Sequence, residues 1–307
     1  MFTFVATLKT KIYVVIFQSL IVIIVLLICG AMRTTVVYYT PSHWSNLPGS
    51  YCGGESQSPI DISTDSVVEN ENLSSFTFTN FDNKHAIKSI TNTGHTVQCV
   101  LEDGLVEVSG RGLNHVYSTL QFHFHWGTES ADSEGSEHSV DKKRYPMEVA
   151  IHHYEALNTP DGLAVLGFLI EVKTDIPSWK TLTSYLSDIK DIVEVTDEIS
   201  IDDLLGNVNR DSFFRYSGSL TTPSCNEAVV WTIFKESVKV DQDLMALFPE
   251  NARYHNVFRP SQSLHSRKVY TTAAAPGPGP VAGPGPGPSP GPVWVYLLLP
   301  CLCALYC

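Results

Sequence analysis

The segment Gln121-Phe122-His123-Phe124-His125-Trp126-Gly127 sets two imidazoles two residues apart, interleaved with aromatic side chains. On an extended strand, side chains at i and i+2 point to one face. Gln121, His123 and His125 therefore share a face, and Phe122, Phe124 and Trp126 share the other, which has to meet a core. Such a histidine pair is either the wet side of an amphipathic strand or half of a rigid metal site. A catalytic zinc site takes three protein ligands and keeps one position open. A second segment, Glu148-Val149-Ala150-Ile151-His152-His153, alternates in the same way and puts Glu148, Ala150 and His152 on one face.

Elements able to hold these residues in place are mostly strands. Runs rich in Val, Ile, Phe and Thr, such as 76–81 and 164–172, read as strands, while helical patterning is confined to 179–189 and 241–247. The chain has 307 residues and a formal net charge of -12. An acidic balance excludes nucleic acid as the expected partner, because a phosphate backbone calls for a basic face. Internal repeats are absent, and residues 37–272 are enough chain to bury one substantial core.

The two ends give an address. Lys9 and Lys11 flank the start of an apolar run over residues 12–28, and Cys29-Gly30-Ala31 supplies small residues for cleavage. Residues 1–31 are therefore expected to be a secretory signal peptide, with a retained signal anchor as the alternative. Residues 273–292 form a Pro/Gly-rich linker, and 293–307 are apolar without a charge. A hydrophobic terminus behind such a spacer fits a glycosylphosphatidylinositol signal, with Ala275, Ala282, Gly283 and Ser289 as candidate attachment points; a plain apolar tail is the alternative. The expected location is the secretory pathway and the extracellular face of the plasma membrane, by lipid anchor or terminal apolar segment, or secretion. Asn72-Leu73-Ser74 is a glycosylation sequon consistent with that route.

From about residue 37 to 272 the chain resembles the alpha class of carbonic anhydrases. The resemblance rests on ordered blocks: Gln57-Ser58-Pro59-Ile60-Asp61-Ile62, Thr93-Gly94-His95, the paired-histidine segment, and Ser136-Glu137-His138-Ser139-Val140-Asp141. They continue with Asp161-Gly162-Leu163-Ala164-Val165-Leu166-Gly167, Gly218-Ser219-Leu220-Thr221-Thr222-Pro223, Trp231, and Phe258-Arg259-Pro260 followed by Gln262. The resemblance implies a mainly β fold with short helices (α+β), a single domain on a large twisted, mostly antiparallel central sheet, and a zinc ion at the foot of a conical cleft. It implies the reversible hydration of carbon dioxide to bicarbonate and a proton, the activity of a zinc lyase, and a disulfide between Cys52 and Cys225, with Cys99 left as a buried thiol.

The same resemblance assigns roles. His123 and His125 are two metal ligands, and Gln121 and Glu148 orient ligand imidazoles. Thr221 and Glu137 orient the attacking hydroxide. Val165, Leu220, Thr222 and Trp231 shape the carbon dioxide pocket, and His95 is the proton shuttle. One departure bears on all of this: Ala150 stands where the family has its third zinc histidine, and a methyl group binds no metal. His152, about 6.6–6.8 Å further along the same face, is the candidate replacement. The expectation is a carbonic anhydrase of reduced activity; the alternative is an inactive ectodomain serving as a binding module.

Overall fold

The computed structural model describes residues 40–273, apart from 74, 111, 129, 131–132, 156–160 and 175–176. The expected signal (1–31), tail (293–307) and nearly all of the linker lie outside the described residues. Among the described residues no helix is long and apolar enough to cross a membrane.

The paired-histidine segment is the second half of a ten-residue strand, Tyr117–Trp126. Phe122, Phe124 and Trp126 are buried beneath it against Trp179 and Phe248, with ring centroids of Phe124 5.5 Å from Trp179 and 4.6 Å from Phe248. Each buried aromatic contributes roughly 1.5–3 kcal/mol. A slip of one residue would expose all three and drive two imidazoles inward, so the alternation fixes which face the histidines take.

That strand lies near the middle of a large sheet, 13 strands among the described residues. Its antiparallel neighbours are Val97–Leu101 on one side and Met147–Tyr154 on the other. Beyond Met147–Tyr154 come Leu163–Val172, then Val229–Phe234 in parallel, then Phe213–Gly218. The mainly β, mostly antiparallel single-domain architecture is the one expected, and the runs at 76–81 and 164–172 form the strands Phe76–Thr79 and Leu163–Val172. The segment 179–189 splits into a short α-helix, Lys180–Ser184, and a 3-10 turn, Tyr185–Asp188. The 241–247 helix runs further than expected, Gln242–Ala252, capped by the Asp241 side chain on the Asp243 N–H. Met245, Phe248 and Ala252 recur on one buried face, and this packing carries the helix past Pro249.

Two apolar clusters flank the sheet. The larger contains the aromatics under the histidine strand; the smaller contains Ala150, Val165, Tyr216 and Trp231. Cys52 and Cys225 form the expected disulfide across a sequence separation of 173. By the loop-entropy account such a closure contributes about 5 kcal/mol. Cys99 is a buried free thiol whose pKa is pushed up by burial. Asn72 of the sequon is exposed.

His153 points to the larger core and stacks on Phe81 at 6.2 Å between centroids. Burial holds its imidazole down to about 4. In the unfolded chain it titrates near 6.5, so below that pH the unfolded state takes up a proton that the folded state refuses. Its contribution to stability is complete above pH 6.5 and is lost at about 1.4 kcal/mol per pH unit as pH falls toward 4. Urea denaturation at pH 7 and pH 5 should show this loss together with those of the other buried imidazoles, and His153→Gln should lessen the slope by about 1.4 kcal/mol per pH unit below pH 6.5; an unchanged slope would remove His153 as a contributor.

Candidate active site

Register places the predicted residues on one face. Glu148 pairs with His125, Ala150 with His123 and His152 with Gln121, and on the next strand Val165 lies opposite His152 and Gly167 opposite Ala150. His123 Nδ1 lies 3.1 Å from Gln121 Oε1, and His125 Nδ1 lies 2.8 Å from the Val257 carbonyl. Both partners are pure acceptors, so each Nδ1 carries the proton and donates it. Each Nε2 is left with a free electron pair, the form in which imidazole binds a metal. The ring centroids of His123 and His125 are 4.8 Å apart, and the His152 ring is 4.7 Å from His123. Burial, then the neighbouring His152, His125 and His95 rings, holds His123 well below its ordinary value, and burial brings His152 to about 3. Both rings are neutral at physiological pH.

Above them opens a cleft of about 480 Å³ that brings together His95, His125, Glu137, Thr221 and Thr222, with Trp44 and Phe258 as apolar walls. His95 is exposed at its side. Glu137 is buried; its Oε1 accepts the Arg259 backbone N–H at 3.0 Å. Its Oε2 has no hydrogen-bond partner and lies 3.5 Å from His125 Nε2, which also has none. The hydrogen bond expected from Thr221 to Glu137 is therefore not made; Oε2 faces the imidazole instead. Val165 and Trp231 are fully buried in the cluster around Ala150, with Leu220 packed on it, so they back the site rather than line its opening.

A carboxylate oxygen and an imidazole nitrogen lone pair, both buried and facing each other, repel unless positive charge comes between them. This is the chemistry of a cation site, and zinc suits it at two positions, the Nε2 atoms of His123 and His125. The third position is filled by the Ala150 methyl. Although the His152 ring lies beside that of His123, tilted by 42°, no three His, Cys, Asp or Glu side chains among the described residues come together as a metal-holding group.

Glu148 is fully committed elsewhere. Its Oε1 lies 2.9 Å from His138 Nδ1, and its Oε2 accepts the His138 backbone N–H at 2.8 Å. Burial pushes its carboxyl up, yet the His138 ring and these bonds outweigh that and hold it below the usual range. The role expected of Glu148, orienting a third ligand, is thus replaced by a role toward His138. The chain of contacts continues: His138 Nε2 to the Tyr216 hydroxyl at 2.7 Å, that hydroxyl to Ser58 Oγ at 2.9 Å, and Ser58 Oγ to the Ser219 N–H at 3.0 Å. Ser219 begins the loop that carries Thr221 and Thr222. Gly167 allows this arrangement, because a Cβ there would lie 2.9 Å from Glu148 Oε1.

His138, Tyr216, Ser58 and Arg259 were given no role by sequence reasoning, although His138, Ser58 and Arg259 lie in the matched blocks. Arg259 ties the loops together by bonding Gln57 Oε1 at 2.9 Å, Ser58 O at 2.8 Å and Cys52 O at 3.2 Å. The usable signal was that buried polar residues in a motif need partners. Glu148 accepts two bonds from buried His138, and a buried donor left without its partner costs about 1–3 kcal/mol. Glu148→Ala should destabilise the chain by that order in urea denaturation, and a cost below about 1 kcal/mol would mean that the pair is not structural.

The sequence profile of the eukaryotic-type carbonic anhydrases matches residues 39–273. Carbonic anhydrase 6 of Bos taurus is 34% identical over 273 residues, covering 81% of this chain and 84% of that protein. Carbonic anhydrase 4 of Rattus norvegicus is 32% identical over 270 residues (76% and 86%), and carbonic anhydrase 12 of Homo sapiens 34% over 263 (76% and 72%). A profile match across the whole described domain, with His125, Glu137 and Thr221 lining one cleft, places the chain in the eukaryotic-type carbonic anhydrase family.

Proposed function

We propose that the chain is an extracellular carbon dioxide hydratase whose zinc ion is held weakly by His123 and His125, with His152 beside them. The observation that carries this reading is the pair of buried, partnerless atoms at the foot of the cleft, His125 Nε2 and Glu137 Oε2, 3.5 Å apart. Bound there, zinc would supply the Lewis acidity that brings the pKa of water from 15.7 to about 7. The chain's own residues supply the rest. Glu137, fixed by the Arg259 N–H, aims an acceptor oxygen at the reacting centre, and the Thr221 hydroxyl beside it orients the nucleophile's proton. Val165, Leu220 and Trp231 give an apolar backing suited to an uncharged substrate, and Thr222 offers a polar edge. His95, exposed on the cleft, carries the released proton to buffer.

The extracellular placement rests on the apolar run at 12–28, the Pro/Gly linker with its apolar tail, and the exposed Asn72 of the sequon. The Cys52–Cys225 disulfide agrees with an oxidising compartment. A lipid anchor through the tail is the membrane attachment this reading adopts. A second reading, a non-catalytic ectodomain that kept the scaffold as a binding module, is favoured by one observation, the methyl of Ala150 where a third donor would stand.

Loss of one imidazole costs several kcal/mol of metal binding, and about 4 kcal/mol corresponds to a thousandfold weaker hold. Zinc titration of the full chain, with stopped-flow carbon dioxide hydration at each concentration, should therefore show activity rising only at high free zinc. Ala150→His should tighten zinc by about that factor and raise the rate. A folded preparation that stays metal-free and inert in excess zinc would end the hydratase reading in favour of the binding module. An unaltered affinity in Ala150→His would mean that another group already completes the site.

A further inference from the structure

A recess of about 330 Å³ opens away from the cleft and shares no lining residue with it. It lies where the Phe213–Gly218 strand loses its outer partner. Within that strand only Phe214 and Arg215 pair with the two-residue strand Tyr270–Thr271, leaving the edge from Tyr216 onward open to the recess. Among the described residues, Arg215, Arg267 and Lys268 line it, against one carboxylate, Asp161. Three cationic side chains thus meet one acid, in a chain whose net charge is -12.

Arg215 and Arg267 are built in, while Lys268 is exposed at the rim. Arg215 is 5% exposed, and its guanidinium carbon sits 5.4 Å above both the Phe76 and the Phe213 rings. Its Nε donates to Thr232 Oγ1 at 3.0 Å and its Nη1 to the Gly112 carbonyl at 2.6 Å, while Nη2 is buried with no partner. Burial lowers its pKa to about 10, with Tyr117 and Asp161 acting the other way, so it stays charged at neutral pH. Arg267 donates to the carbonyls of Leu264, Ser217, Gln57 and Ser263 at 2.8–3.1 Å. Carbonyl oxygens satisfy its donors without cancelling its charge. None of the three cations forms a salt bridge among the described residues. A buried guanidinium with a spare donor and no counter-charge within bonding reach is costly, and an oxyanion relieves that cost.

We propose that this recess is a binding site for a small oxyanion of the phosphate type, gripped by Arg215, Arg267 and Lys268 and independent of the catalytic cleft. Asp161 opposes the anion and limits its affinity. The probe is inorganic phosphate added to the full chain at pH 7, with sodium chloride at matched ionic strength as the control, read by thermal denaturation. Wild type should show a saturable rise in Tm beyond the chloride control. Asp161 holds a left-handed backbone, φ 59°, which Asn also accepts, so Asp161→Asn removes the opposing charge without strain. That variant should bind phosphate about fivefold tighter, and Lys268→Ala should bind it weaker by a similar factor. His125→Ala, in the cleft, should leave the response unchanged. No stabilisation beyond chloride, equal affinities in wild type, Asp161→Asn and Lys268→Ala, or loss of the response in His125→Ala would each overturn the proposal, the last by placing the anion in the cleft.

Discussion

The site depends on one strand whose two faces cannot be exchanged. Under the Tyr117–Trp126 strand, buried rings pack on Trp179 and Phe248; above it, two imidazoles have their protonated nitrogens tied to Gln121 and the Val257 carbonyl. The apolar energy on one side fixes the register, and the hydrogen bonds on the other fix the tautomer. Together they fix the orientation of two neighbouring imidazoles on one face of the strand, which a surface strand of the same sequence would not do.

A second layer of order runs from floor to lip through buried polar contacts. Glu148, His138, Tyr216, Ser58 and Ser219 form an unbroken path from the strand carrying Ala150 to the loop carrying Thr221. Arg259 adds a crossing tie, holding Glu137 from its backbone and the Cys52–Ser58 segment from its side chain. The disulfide joins the Cys52–Ser58 segment covalently to Cys225, just past the Thr221 loop. In a low-dielectric interior such a network is rigid only if every member is satisfied. The exceptions, His125 Nε2 and Glu137 Oε2, fall at the cleft floor, while Arg259 Nε is a third unpartnered atom within the network itself.

Period-two alternation made the histidine face and its aromatic underside legible before any coordinates, because both follow from local geometry. The register that sets Ala150 opposite His123 was not legible in the same way, since strand order is decided by tertiary packing. His138 illustrates the limit. Its motif was visible, but its partner Glu148 lies on a different strand and was assigned to an imidazole this chain lacks. The 241–247 helix ran longer than its pattern suggested, because the burial of Phe248 and Ala252 carries it through Pro249. Thr221 and Glu137 came to one cleft, yet no hydrogen bond joins them, a detail of side-chain placement that spacing along the chain does not encode.

The commitment of Glu148 to His138 separates two equilibria that metalloenzymes often fuse. Where an ion's ligands hold the core together, the empty chain unravels and occupancy is settled during biosynthesis. In this scaffold the carboxylate beneath the floor is already satisfied by His138, so its burial does not wait on an ion. On the proposed reading, metal uptake would be an event apart from folding, and such a molecule would report the free metal in its surroundings with its structural integrity untouched.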